Sequence, residues 1–117
     1  MKATLFSCLV AQATLHPLLA NAAEPTTQST PDLSAGKALF HEKCAMCHGP
    51  GGMGTGLLAR RVQPAELAQR QDLIAAYVIT AARIGVGNMP PVPRGEASDD
   101  QLKAIADYLT APEALRP

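Results

Sequence analysis

The sequence predicts an all-α fold, a small domain of three to four helices. Three observations lead there. Apolar residues recur at helical spacing in three separate stretches, around Leu39, Leu73 and Leu102. Helix punctuation flanks those stretches, with Ser34 and Ser98 at starts and Gly85 and Pro112 at ends. No stretch alternates strictly between apolar and polar residues, as a half-buried strand would.

The 117-residue chain opens on a leader-like segment. Lys2 supplies a positive charge, residues 3–19 are mainly apolar, and Ala20-Asn21-Ala22 has the form of a signal-peptidase site. A signal peptide over residues 1–22, cleaved after Ala22, is expected, which predicts a periplasmic protein. The apolar run is interrupted by Gln12 and His16-Pro17 and falls short of the roughly 20 residues that span a bilayer. No stable membrane insertion is therefore expected after cleavage, and Cys8 leaves with the leader. Residues 23–33 are polar, carry Pro25 and Pro31, and read as a flexible linker. The folded domain is expected over 34–112, with a loose tail at 113–117. Ten basic residues balance ten acidic ones, and no basic patch with interleaved aromatics exists, which argues against nucleic acid as a partner.

The first helix is expected over residues 35–46, with Ser34 as its cap and Leu33 as a staple. Gly36 stands one turn before Phe40 and suggests that another element approaches closely there. His41 falls on the outer surface. At the end of this helix stands Cys44-Ala45-Met46-Cys47-His48. The spacing C-x-x-C-H is that of a covalently attached haem c. Two thiols must reach the two vinyl groups of one porphyrin, and the histidine after the second thiol then lies under the iron. As a neutral imidazole, His48 can supply one axial nitrogen. A bare C-x-x-C would also suit a redox dithiol or half a zinc site.

Five glycines fall within residues 49–56, so an irregular loop around the haem edge is expected there, not a regular helix. It is no phosphate loop, because neither a preceding strand nor a Lys-Ser/Thr pair is present. A carbonyl of this loop is expected to accept a hydrogen bond from the second ring nitrogen of His48. Leu57 and Leu58 would pack on the porphyrin, and Arg60-Arg61 would either pair with its propionates or face solvent. Residues 63–68 read as a short helix with Pro64 in its first turn.

The next helix is expected over residues 72–83, with Asp72 as cap and Gly85 as terminator. Leu73, Ile74, Tyr77, Val78 and Ala81 form a stripe expected to face the core. Residues 85–93 then form a proline-stiffened loop carrying Met89, the expected second axial ligand. Met46 lies inside the attachment motif, and Met53 follows His48 too closely to cross the porphyrin. Ser98 and Gln101 make a capping box for the last helix, whose apolar face is Leu102, Ile105, Ala106 and Leu109. Beyond the leader the only aromatics are Phe40, Tyr77 and Tyr108, so the haem itself must supply much of the core.

These pieces in this order resemble class I cytochrome c from residue 35 to about residue 110. The resemblance implies that Gly36 and Phe40 pack across the last helix at Tyr108. It also implies one covalent haem c on Cys44 and Cys47, with His48 and Met89 as the iron's axial ligands. Two filled axial positions imply electron transfer, not catalysis. One departure is visible: Leu57 stands where the family often has a proline whose carbonyl holds the axial histidine. Arg60-Arg61, the run from Leu67 to Leu73, and Gly85-Val86-Gly87-Asn88-Met89-Pro90 are similar to the cytochrome subunits of p-cresol methylhydroxylase-type flavocytochromes. That similarity implies a flavoprotein dehydrogenase partner that oxidises 4-alkylphenols and hands electrons to this chain. The alternatives are a free soluble carrier to a terminal oxidase, a haem enzyme or gas sensor with an open distal site, and a thiol-disulfide protein using Cys44 and Cys47.

Overall fold

The computed structural model describes residues 31–117. The expected signal peptide over 1–22, Cys8, and the linker up to residue 30 lie outside the described residues. Helix α1 spans Leu33–Lys43 and starts earlier than expected. Asp32, not Ser34, is its cap. The Asp32 carboxylate accepts from the Ser34 and Ala35 amides, both at 3.1 Å, and from the Ser34 hydroxyl at 2.7 Å. A carboxylate reaching two orphan amides, with its charge on the positive end of the helix, outcompetes a serine hydroxyl.

The single N-terminal helix expected over 35–46 is two pieces. Cys44, at φ −125° and ψ −30°, ends α1, and α2 follows over Ala45–His48. The hydrogen bonds bridge the break, from the Cys44 amide to the Phe40 carbonyl and from the His48 amide to the Cys44 carbonyl, both 2.9 Å. The bend at Cys44 therefore re-aims the attachment motif without cutting it loose.

The glycine-rich stretch is not irregular throughout, because α3 occupies Met53–Leu58. Glycine makes this possible by letting the short helix lie directly on α2. A Cβ at Gly54 would stand 2.9 Å from the Cys47 carbonyl oxygen. Thr55 Oγ1 ties the helix back by donating to the Gly49 carbonyl at 2.8 Å. The short helix expected over 63–68 is displaced: the chain is extended at Glu66, and one 3₁₀ turn forms at Leu67–Gln69.

Helix α4 spans Ala75–Ile84 and begins later than expected, with Ile74 at its cap position. Asp72 cannot cap it because its carboxylate is engaged by the Arg70 guanidinium, Nε at 2.9 Å and Nη2 beside it. Gly85 ends α4 as expected, at φ 76°. Helix α5 spans Asp99–Thr110 behind the expected capping box, with Gln101 N–H donating to Ser98 Oγ at 3.2 Å and Ser98 N–H to Gln101 Oε1 at 3.0 Å. The tail, expected to be loose, is fastened. Arg116 donates to the carbonyls of Ala111 at 2.7 Å, Arg70 at 2.8 Å, and Ala68. The planar fork of a guanidinium serves several acceptors at once, which a plain count of tail residues does not reveal.

Helices α1 and α4 both pack on α5, and α2 lies against α1 and α3. At the α1–α5 crossing the Phe40 and Tyr108 rings stand 5.9 Å apart. Phe40, Ile105 and Leu109 are the largest wholly buried side chains. The expected all-α class holds among the described residues, where the single β feature is an isolated bridge between Val86 and Met89.

Candidate haem-binding site

A cavity of about 440 Å³ opens between α1–α3 on one side and α4, the Met89 loop and α5 on the other. Cys44, Cys47, His48 and Met89, the four site residues expected from sequence, all line it. So do Leu57 and Leu58 of α3, Leu73 beside α4, Val78 and Ala81 of α4, and Leu102 and Ile105 of α5. The helical stripe expected to pack as core therefore faces this cavity. Within it Tyr77 is 55% exposed, and Ile74 lies outside the cavity wall at 65% exposure. Leu73, Tyr77, Val78 and Ala81 share the cavity side and Ile74 does not; a cavity wall and a packed core produce the same periodicity.

His48 ends α2 and is half-buried. Its burial pushes the imidazole below its ordinary value of 6.5, which favours the neutral, ligating form. Nδ1 is buried without a hydrogen-bond partner, so the expected loop carbonyl does not reach it. In that loop the Gly49 carbonyl accepts from the Gly52 amide at 3.1 Å and from Thr55 Oγ1, and the Gly52 carbonyl accepts from the Gly56 amide at 2.9 Å. Gly54 leaves the space that the ring occupies. A Cβ there would come within 3.0 Å of His48 Cε1 and 3.1 Å of Nδ1. Sequence reasoning missed this contact, since Gly54 read simply as one of several loop glycines.

Cys44 and Cys47 are half-buried and form no disulfide with each other. Burial raises the Cys44 thiol above its ordinary 9.0, the direction opposite to that of an activated redox dithiol. Among the described residues no group of three His, Cys, Asp or Glu side chains gathers as a zinc site would require.

Met89 is held by its backbone. Its amide donates to the Val86 carbonyl at 3.0 Å, and the Val86 amide donates to the Met89 carbonyl at 3.1 Å. Gly87, at φ 59°, completes that turn. Met46 is 89% exposed and takes no part in the cavity wall, whereas Met53 lines it beside His48. Arg60 and Arg61 sit exposed on the cavity rim. Two thiols, a neutral imidazole, a thioether and apolar walls around this volume are a donor set that fits a haem.

Residues 31–109 match the protein family described as cytochrome c oxidase, cbb3-type, subunit III. The chain belongs to the cytochrome c family. It is 33% identical over 78 residues to a cytochrome c6 of Leptolyngbya boryana, covering 67% of this chain and 89% of that protein. It is 31% identical over 78 residues to a cytochrome c6 of Synechocystis sp. (strain ATCC 27184 / PCC 6803 / Kazusa), covering 67% of this chain and 63% of that one. No solved structure matches significantly. As a cytochrome c the chain carries one covalently attached haem c, with Cys44 and Cys47 placed as in the C-x-x-C-H motif, and it transfers electrons to and from redox protein partners. No helix among the described residues is long and apolar enough to cross a membrane.

Proposed function

We propose that His48 and Met89 ligate the haem iron from its two faces, and that this closed site carries single electrons between redox proteins in the periplasm. The observation that carries the reading is that His48, at the end of α2, and Met89, in the loop after α4, line one cavity. Bound there, the haem supplies an iron that alternates between ferric and ferrous states. The chain's own residues set the conditions. Burial favours the neutral form of His48, Gly54 leaves room for its ring, and a thioether such as Met89 raises the potential of the iron. The leucines of α3 and α5 exclude water, and Arg60 and Arg61 would supply positive charge to propionates that reach the cavity rim.

Carbon monoxide tests the closed site. The ferrous holoprotein is expected to bind it weakly or not at all without denaturant. Tight binding would instead support a haem enzyme or gas sensor.

A second reading, the cytochrome subunit of a flavoprotein dehydrogenase acting on 4-alkylphenols, draws on a specific observation. Arg60, Arg61, Leu67, Leu73 and residues 86–90, from the segments that resemble such subunits, border the same cavity. Purification from the native source separates the two readings. A flavoprotein at fixed stoichiometry supports the subunit, and a lone monomer supports a free carrier to a terminal oxidase. N-terminal sequencing of that material tests cleavage after Ala22.

A further inference from the structure

The loop that carries Met89 is fastened by one side chain that does not line the haem cavity. Arg83 lies in the last turn of α4, with 16% of its side chain exposed. Its Nη1 donates to the Val92 carbonyl at 2.9 Å. Its Nη2 donates to the Ala97 carbonyl at 2.9 Å and to Asp99 Oδ1 at 2.7 Å. The Val92 amide in turn donates to the Ala82 carbonyl at 2.8 Å. Both backbone groups of Val92 are thus bonded to the end of α4. Only Pro90 and Pro91 separate Val92 from Met89, and their fixed φ angles pass the restraint on.

On the other side of the loop, Gly85 lies against the same backbone. A Cβ there would stand 2.5 Å from the Met89 carbonyl oxygen and 3.1 Å from the Pro91 nitrogen. Asp99 is itself held from outside by Arg94 Nε at 2.9 Å. Arg83 Nε is buried without a partner, a penalty that an aliphatic side chain in this place would avoid. What an aliphatic side chain would lack is reach to three acceptors on two stretches of chain, the Met89 loop and the start of α5. A lysine ammonium, with one compact charge, cannot span them either.

We propose that Arg83 is the positioning residue for the Met89 thioether, holding the loop closed over the haem. The proposal rests on the reading that Met89 is an axial ligand. The test is imidazole binding to the ferric holoprotein. Imidazole enters only when Met89 has left the iron, so its apparent affinity follows the fraction of open loop. Arg83→Gln is expected to bind imidazole about tenfold more tightly than the wild type, the factor that loss of a charge-assisted hydrogen bond gives. Arg83→Lys keeps the buried charge, is expected to show a smaller rise, and remains readable if Arg83→Gln fails to accumulate.

Asp32→Ala removes the cap of α1 and controls for general destabilisation. It should lower the thermal midpoint and leave imidazole affinity at the wild-type value. Equal affinities in the wild type and both Arg83 variants, with Met89→Ala binding more tightly, would overturn the role of Arg83 and leave Met89 as ligand. An equal rise in Asp32→Ala would also overturn it, by assigning the effect to lost stability. Wild-type affinity in Met89→Ala would overturn the Met89 reading itself, and the proposal with it.

Discussion

Gly36 of α1 rests on Tyr108 of α5 so closely that a Cβ at position 36 would stand 2.8 Å from the tyrosine Cβ. The Ala104 carbonyl oxygen would be closer still, and as a backbone atom it cannot swing aside. Gly36→Ala would gain about 1 kcal/mol in helix propensity. Overpacking of this kind costs about 1–3 kcal/mol, and the fixed backbone places this site at the upper end. A net loss of about 2 kcal/mol is expected, read from denaturant unfolding of the holoprotein. An unchanged midpoint would mean that the helices do not cross at this point.

Gly85 and Gly87 flank the start of the Met89 turn and differ in a way that can be measured. Both have positive φ, 76° and 59°. Only Gly85 is also crowded, since nothing lies within 4 Å of a Cβ built at Gly87. Gly87→Ala is therefore expected to lose about 1–2 kcal/mol of stability and keep the far-red absorption band that methionine sulfur gives on ferric haem. Gly85→Ala is expected to lose that band while the haem stays attached through the cysteines. Identical spectra for the two variants would separate the turn from Met89 ligation.

The Asp99 carboxyl is held below its ordinary 3.8 by hydrogen bonds from Arg94 and then Arg83. A depressed folded-state value contributes stability above the unfolded value and loses it as pH falls through the folded one. The thermal midpoint should thus fall as pH drops below about 4, with Asp32 and Asp72 acting in the same direction. Asp99→Asn should flatten that acid limb. Because these carboxyls are exposed, added salt should weaken the effect. A limb identical to that of the wild type would leave Asp99 without a stabilising role in the folded state.

Among the described residues the wholly buried side chains are few, and the inner face of α4 lines the cavity as well as packing on α5. The chain without haem is expected to lose most of its helical circular dichroism. A haem-free Cys44→Ala/Cys47→Ala variant with native-like helicity would show that α1, α4 and α5 pack without the cofactor.

The four candidates that line the cavity could be picked out in the sequence because their chemistry marks short stretches of it. Two thiols and a histidine must be adjacent to meet one porphyrin, and Met89-Pro90 sits in a stiff loop that only prolines and glycines could build. Gly36 was legible as a close approach through its cost inside a helix, and its packing with Phe40 on Tyr108 through the resemblance to class I cytochrome c. What remained hidden was decided by contacts across the chain. Asp72 was lost as a cap because Arg70 engages it. The tail is fixed because Arg116 finds carbonyls at Ala68 and Arg70. The glycines of α3 read as loop because propensity cannot register that Gly54 lies against His48. Arg83 carried no signal at all, since a basic residue near a helix C-terminus is ordinary.

The most direct test of the His48–Met89 site is the far-red absorption spectrum of the ferric holoprotein beside that of Met89→Ala. The wild type is expected to show the sulfur-to-iron band. Met89→Ala is expected to lack it and to have a lower reduction potential, with its haem still covalently attached. A band and a potential unchanged in Met89→Ala would contradict ligation by Met89 and, with it, the closed site from which electron transfer between partners is argued.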